Sequence, residues 1–419
     1  MPADAPDAPI LTADPQLRLA QLRERLAPWR WPLPTDALPP GSALVGGAVR
    51  DALLDRLADK PDLDLIVPDD GVVLGQRLAR QLGGSCVALD PDRGIGRWIR
   101  QGWTIDLARR EGDSLVSDLA RRDYSVNAIA LPLTAESGLL DPHQGQEDLR
   151  AGRLRALGEA NLLADPLRLL RGPRLAAELG LQLEPQTEVW IRHHAARLGD
   201  VAGERVLAEL ERLAATAAGG LGLEQVLEWG LLAPWCGAGG AGLPAPGSLD
   251  GRRAQALGLE EPEAAWAVPL ARLASVLDGS SIRRLRGSRR LEQRCADLRW
   301  GWRLLGCGGP DPAGLTEMER LQLHGRLEHD WPALLLALPL AEARISLARW
   351  RDADDPLHHP RAPIDGRSLQ RSLALAPGPR LGALLHHLTH ERAFGRLPDG
   401  ADPLVAARDW LKNGPARDG

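Results

Sequence analysis

The sequence predicts an α+β fold: a small mixed β-sheet head followed by a long all-helical remainder. Three observations carry that expectation. Between residues 43 and 107, short apolar runs alternate with segments of helical period, as when strands and helices share a sheet. From about Ala151 the chain reads as nearly pure helix, rich in Leu and Ala, divided by Gly/Pro breaks at 237–247, 306–314 and 352–366. With 419 residues, 44% hydrophobic and 26% charged, the chain has ordinary globular composition and length for two or three domains.

Taken in order, residues 1–15 read as a loose leader rich in Ala, Pro and Asp. Pro32, Pro34, Pro39 and Pro40 mark a second irregular stretch. Ala43–Val45 is a short apolar strand ahead of Gly46-Gly47. Ala48–Leu57 then has helical spacing, with Val49, Leu53, Leu54 and Leu57 on one side. Leu63–Val67 reads as a strand ended by Pro68-Asp69-Asp70-Gly71, and Val72–Leu82 as a helix. Two further strands fall near Cys86–Leu89 and Trp103–Leu107, and Ser114 is suited to cap a helix.

Composition excludes several classes. The longest apolar run, Trp331 to Ala341, holds Pro332 and Pro339 and is too short to span a bilayer. No secretory signal pattern opens the chain. The four cysteines (Cys86, Cys236, Cys295, Cys307) lack metal-site spacing, which fits reduced thiols and a cytoplasmic location. Net charge is −5, so no global basic excess speaks for nucleic acid. Only Lys60 and Lys412 are lysines; the other cations are arginines, which suit bidentate phosphate contacts wherever they cluster.

Three features of the head carry chemistry. Leu44-Val45-Gly46-Gly47-Ala48-Val49-Arg50-Asp51 places a Gly-Gly turn between strand and helix. A tight turn and a phosphate cradle both fit it, and the missing third glycine excludes a dinucleotide fingerprint. In Asp62-Leu63-Asp64 the two carboxylates lie two residues apart on a strand and share a face, where a divalent cation, most naturally Mg²⁺, would relieve their repulsion. Asp106, on a neighbouring strand, could supply a third carboxylate. In Arg121-Arg122-Asp123-Tyr124-Ser125-Val126-Asn127, Asp123 and Asn127 would share a helix face suited to a ribose, with Arg122 reaching phosphate.

Together GGAVRD, DLD and RRDYSVNA, in that order, resemble the class II tRNA nucleotidyltransferase and bacterial poly(A) polymerase family of the DNA polymerase β superfamily. Leu140–Leu149 resembles the family's hinge segment, and Asp165-Pro166-Leu167-Arg168-Leu169-Leu170-Arg171 its nucleotide-selecting motif. The likeness is convincing over residues 41–182 and returns in the tail at Ile364–Leu369 and Pro377–Gly382. It implies a head at 31–150 behind an extension at 1–30, a helical neck at 151–215, a body at 216–350 that binds RNA, and a tail at 351–419.

The implied activity is template-independent addition of nucleotides to a tRNA 3′ end by two-metal chemistry, with release of pyrophosphate. Asp62 and Asp64 would hold the metals, with Asp106 completing the catalytic carboxylates. Gly46, Gly47 and Arg50 would hold the triphosphate. Arg122, Asp123 and Asn127 would bind sugar and phosphates, and Asp165, Arg168 and Arg171 the nucleotide. An Asp can accept from cytosine N4 while an Arg donates to O2 and N3. Two departures stand out: Ala164 replaces the family's usual acidic residue, and Gly172-Pro173 falls within what is normally an unbroken helix.

The connection at Ala108–Asp113 is short, like that of CC-adding members, whereas full CCA-adding relatives carry a longer flexible loop there. The expected partners are therefore a tRNA 3′ end and acceptor arm and CTP, with ATP added for a full CCA end. Otherwise a separate A-adding enzyme would act on the product. A poly(A) polymerase shares every head motif and remains the alternative; a non-catalytic RNA-binding relative is the second. For the Arg283–Arg303 track, including Arg283, Arg284, Arg286, Arg289 and Arg290, an RNA-backbone contact and a solvated face stand with similar weight, and Arg153 and Arg155 could extend it. His329-Asp330 lacks the companions of a phosphohydrolase site.

Overall fold

The computed structural model describes residues 14–133, 138–236, 242–306 and 314–413. The leader at 1–13, Cys307 and much of the Gly/Pro breaks at 237–247 and 306–314 lie outside the described residues. The chain divides into two compact units, Met1–Asp200 and Val201–Gly419.

The first unit is built on a mixed sheet: β1 (Ala43–Val45), β2 (Leu63–Val67), β3 (Ser85–Asp90), β4 (Ile95–Arg100), β5 (Trp103–Arg109) and β6 (Ala130–Pro132), in spatial order β3-β4-β5-β2-β1-β6. Its neighbours pair antiparallel except β2 with β5, which run parallel. The parallel pair sets the site, because its register places Asp64 opposite Asp106. β4 and β6 escape the sequence reading. In β4 (Ile-Gly-Arg-Trp-Ile-Arg) a glycine and a charged residue interrupt the apolar signal. That charge, Arg97, serves the site below.

Helix α1 (Pro15–Leu26) is capped by Asp14, whose carboxylate accepts from the Gln16 amide at 2.8 Å, and it buries Leu22 and Leu26. α2 (Gly47–Leu53) stops four residues short of the expected Leu57. Arg25 captures the Ala52 carbonyl at 2.7 Å, and Asp55 turns into the left-handed region at φ 57°. α3 (Gly71–Leu82) starts at Asp70, which accepts from the Val72 and Val73 amides. α4 (Leu115–Leu119) opens on Ser114 in a reciprocal capping box with Ser117.

After α4 the expected helix through Asp123 and Asn127 does not form. Tyr124 is extended and bridges Ala156, the Ser125 amide donates to the Arg155 carbonyl, and only Ser125–Asn127 coils into one 3₁₀ turn. Pairing with residues 155–157 outcompetes helix propagation. The unit closes with α5 (Gly145–Arg150), a two-stranded parallel sheet of β7 (Arg153–Leu154) and β8 (Gln182–Leu183), α6 (Glu159–Ala164), α7 (Leu167–Leu179) and α8 (Pro185–His193). That small sheet departs from the pure helix expected after Ala151. α7 runs on through Pro173, which forfeits one backbone donor without ending the helix.

The second unit is helical throughout its described residues: α9 (Gly203–Ala215), α10 (Gly219–Glu228), α11 (Gly251–Leu257), α12 (Glu261–Val276), α13 (Gly279–Arg284), α14 (Arg289–Leu304), α15 (Glu317–Leu327), α16 (Trp331–Leu335), α17 (Leu340–Arg351), α18 (Gly366–Leu373), α19 (Pro379–Ala393) and α20 (Pro403–Asn413). Trp302 on α14 is fully buried and donates to the Leu334 carbonyl at 3.1 Å. Leu369, Leu384 and Leu388 centre a separate cluster among the last three helices. Among the described residues no helix is long and apolar enough to cross a membrane.

Candidate active site

The three head motifs meet at the Gly-Gly turn. Gly46 has φ 74° and ψ −136°, a backbone that residues with a Cβ rarely adopt. A Cβ built there would lie 3.3 Å from Asp64 Oδ2 and 3.4 Å from Arg122 Nη1. The turn, the carboxylate strand and the RRD segment therefore wall one point in space.

The acidic side of that point follows from strand register. Asp64 on β2 and Asp106 on β5 project from the same face as parallel partners, and Asp62 lies exposed just before β2. Burial raises the Asp64 carboxyl above its ordinary range; Asp106 and Asp62 add to the rise, and Arg122 opposes it. Such a raised carboxylate beside a second, exposed one fits a divalent cation, which would restore its charged form. Asp106 is differently placed. Arg97 forks both its oxygens, Nε to Oδ1 at 2.7 Å and Nη2 to Oδ2 at 2.8 Å. Among the described residues no three acidic, His or Cys side chains converge to cage an ion. Substrate oxygens and water would therefore complete the coordination around Asp62 and Asp64.

Behind the turn runs a continuous hydrogen-bonded line. Arg50 donates from Nε to Asp51 at 2.8 Å and from Nη1 to Asn127 Oδ1 at 2.7 Å. Asn127 Nδ2 donates to Asp123 Oδ1 at 3.1 Å, and Arg171 Nε on α7 donates to Asp123 Oδ2 at 2.8 Å. Asp123 also accepts from the Tyr124 amide at 2.8 Å. Burial alone would raise its pKa. The Arg171 charge and these donors outweigh burial and bring it down to about 2. Arg50, expected on the triphosphate, is instead buried beneath the turn with its guanidinium committed to Asn127 and Asp51.

Beside this line opens a cleft of about 570 Å³ lined by Arg121, Arg122, Asn161, Ala164, Asp165 and Arg168, among others. Asp165 and Arg168 do not share one helix. Pro166 holds Asp165 extended (φ −143°, ψ 100°) between α6 and α7, and its carboxylate meets the Leu167 amide at 3.3 Å. Arg168 stands in the first turn of α7 and reaches the same cavity. The short connection between β5 and α4 forms another wall. Glu111 there pairs with Arg93 and Arg121, and its amide donates to Asp118 Oδ2 at 2.9 Å.

The arginines expected on RNA fare unevenly. Arg153 and Arg155 are held by the fully buried carboxylate of Asp148, at 2.6 Å and 3.0 Å. Arg283 pairs with Glu292, and Arg286 with Glu204. Arg284, Arg289 and Arg290 are exposed, with no hydrogen-bond or ion-pair partner among the described residues. Sequence reading missed Arg97, Glu111, Asn161 and Asp148. Each is a lone polar residue whose partner is distant in sequence or unremarkable in type.

The chain is 31% identical to a CC-adding tRNA nucleotidyltransferase of Synechocystis sp., over 95% of its own length and 99% of that protein's. It belongs to the tRNA nucleotidyltransferase and poly(A) polymerase family. Two family models agree: one described as the poly A polymerase head domain matches residues 100–155, and one described as a probable RNA and SrmB-binding site of polymerase A matches 180–236. A CC-adding tRNA nucleotidyltransferase of Geobacter sulfurreducens is 32% identical over 86% of this chain and 90% of its own. In fold, the CCA-adding enzyme of Bacillus stearothermophilus in complex with CTP matches with TM-score 0.65, covering 96% of this chain and 100% of that one at 21% identity. The family's nucleotidyl transfer normally uses a divalent metal, which agrees with Asp64 on β2 and Asp62 just before it.

Proposed function

We propose that this protein adds two cytidines to the 3′ end of tRNA from CTP, using Mg²⁺, in the cytoplasm. The observation that carries the choice of product is the short connection from Arg110 to Ser114, pinned at Glu111 to Arg93, Arg121 and Asp118 on the wall of the nucleotide cleft. A wall tied at three points favours one nucleotide shape. The names of the Synechocystis and Geobacter relatives support the same reading.

Asp62 and Asp64 would hold Mg²⁺, which supplies charge neutralisation at the α-phosphate and lowers the pKa of the attacking 3′-hydroxyl. The Gly46-Gly47 backbone lets the triphosphate approach closely, and Arg122 faces it with Nη1. Asp123, kept ionised by Arg171 and Asn127, accepts from a ribose hydroxyl. Arg50 orients Asn127 from below. Asp165 accepts from the cytosine amino group, and Arg168 donates to its ring acceptors. Arg284, Arg289 and Arg290 offer unpaired charge to the tRNA backbone.

The test is incorporation of labelled CTP or ATP, separately and together, into a tRNA transcript ending at its discriminator base and into one ending in CC. Two cytidines and no adenosine support the reading, and a separate A-adding enzyme would then finish the end. Full CCA addition, adenosine on the CC-ended transcript alone, or long adenosine tails on arbitrary RNA would each replace it.

A further inference from the structure

Ala164 leaves Arg168 without the acidic neighbour of the family pattern, yet Arg168 is not loose. Its Nη1 spends both hydrogens on main-chain carbonyls, Arg121 O at 2.8 Å and Asn161 O at 2.9 Å. The Asn161 side chain fixes the first of these. Its Nδ2 donates to Ala120 O and Arg122 O, both at 2.8 Å, gripping the backbone on either side of Arg121. Asn161 also lines the cleft with Ala164, Asp165 and Arg168.

We propose that Asn161 is the positioning residue that holds Arg168 in a cytosine-reading orientation. It takes over, through backbone carbonyls, the support that an acidic side chain at position 164 would give. The inference rests on the reading of Asp165 and Arg168 as the base-selecting pair. With Nη1 saturated, the edge left to Arg168 is Nε–H beside Nη2–H, two parallel donors. Cytosine presents two adjacent acceptors, O2 and N3, to that fork. Adenine presents N1 beside its amino donor, so a fork held in this orientation makes one bond and meets one mismatched group. A clamped guanidinium therefore discriminates between the bases, and a mobile one could adjust to either.

The experiment compares wild type, Asn161→Ala, Ala164→Glu and the double variant. It measures kcat and KM for CTP and for misincorporated ATP on a tRNA ending at its discriminator base, together with equilibrium binding of each nucleotide in Mg²⁺. Asn161→Ala is expected to cut the CTP-over-ATP ratio of kcat/KM about tenfold, mostly through a raised KM for CTP. Adding Ala164→Glu should restore the ratio by returning an acidic partner to Arg168. Equal losses for both nucleotides in Asn161→Ala would overturn the inference, as would a lost ratio that Ala164→Glu leaves unrecovered. Asn161→Leu, which keeps the bulk, removes the donors and adds no charge, replaces the alanine variant if that does not fold, with the same expected loss. A wild-type protein that adds nucleotides with no preference between CTP and ATP would overturn the base-selecting reading itself, and this inference with it.

Discussion

The Tyr124 hydroxyl donates to the main-chain carbonyl of Arg168 at 2.8 Å, joining the RRD turn to the first turn of the helix that carries Arg168 and Arg171. Tyr124 is fully buried, and Gly172 makes room for it: a Cβ there would stand 2.5 Å from the hydroxyl and 2.7 Å from Ile191 Cδ1. Gly172 is thus a packing solution, and the helix runs on through it and Pro173.

Gly172→Ala should therefore destabilise the protein by about 1–3 kcal/mol through overpacking. Tyr124→Phe should cost about 1 kcal/mol for the lost hydrogen bond. In the double variant the two costs should fall short of their sum, because the phenyl ring no longer presents an oxygen to the new methyl. Denaturant midpoints of the four proteins check this.

The Asp123–Arg171 contact makes a pH prediction. The folded pKa of Asp123 lies near 2, below its ordinary value near 4. Between those values the unfolded chain binds the extra proton, so the stability from this group is full above about pH 4 and lost as pH falls toward 2. Asp123→Asn should be less stable at neutral pH and should show a shallower decline in that window. Urea unfolding at a series of acidic pH values would show whether the slope changes.

Asp64→Ala should abolish nucleotide incorporation, by at least about a thousandfold, because it removes one of the two carboxylates proposed to hold the metal. Stability should not suffer, since a half-buried carboxylate with raised pKa is removed from beside Asp106 and Asp62. Chelation of divalent ions should likewise stop the wild-type reaction. Loss of activity accompanied by unfolding would mean that Asp64 is structural.

Arg289 and Arg290 occupy the first turn of α14, where the helix dipole disfavours positive charge. Replacing both with Ala should leave the thermal midpoint unchanged or raised, and should weaken tRNA binding. The salt dependence of log K should become shallower by about one per lost phosphate contact. The same double change at Arg153 and Arg155 should act differently. It removes both charged partners of the buried Asp148, leaving its carboxylate only the Ser125 hydroxyl, and should destabilise the first unit by about 3–5 kcal/mol.

Much of the head was readable from local pattern. β1, β2, β3, β5 and α3 follow from apolar runs and turn residues, and the Ser114 cap sits where a serine ahead of an apolar segment predicts it. The reading failed where one side chain's role depends on a distant strand. Arg97 looks like a break in a strand until Asp106, its antiparallel partner on β5, supplies the carboxylate. Asp123 and Asn127 are four residues apart, which suggests a helix, yet the same pair also meets across a turn paired to Ala156.

The sequence by itself determined which residue types are present and the family to which their order belongs: glycines where the backbone bends sharply, two carboxylates two residues apart, and an arginine three residues after an aspartate. Tertiary structure alone decided which charges are available. Asp148 consumes Arg153 and Arg155, Asn127 consumes Arg50, and two carbonyls hold Arg168, while Arg289 and Arg290 remain exposed. The reason is physical. A charge withdrawn from water takes partners wherever the fold brings them, and besides a near neighbour each has one far along the chain, 77 residues away for Arg50 and 47 for Arg168, beyond the reach of any local pattern.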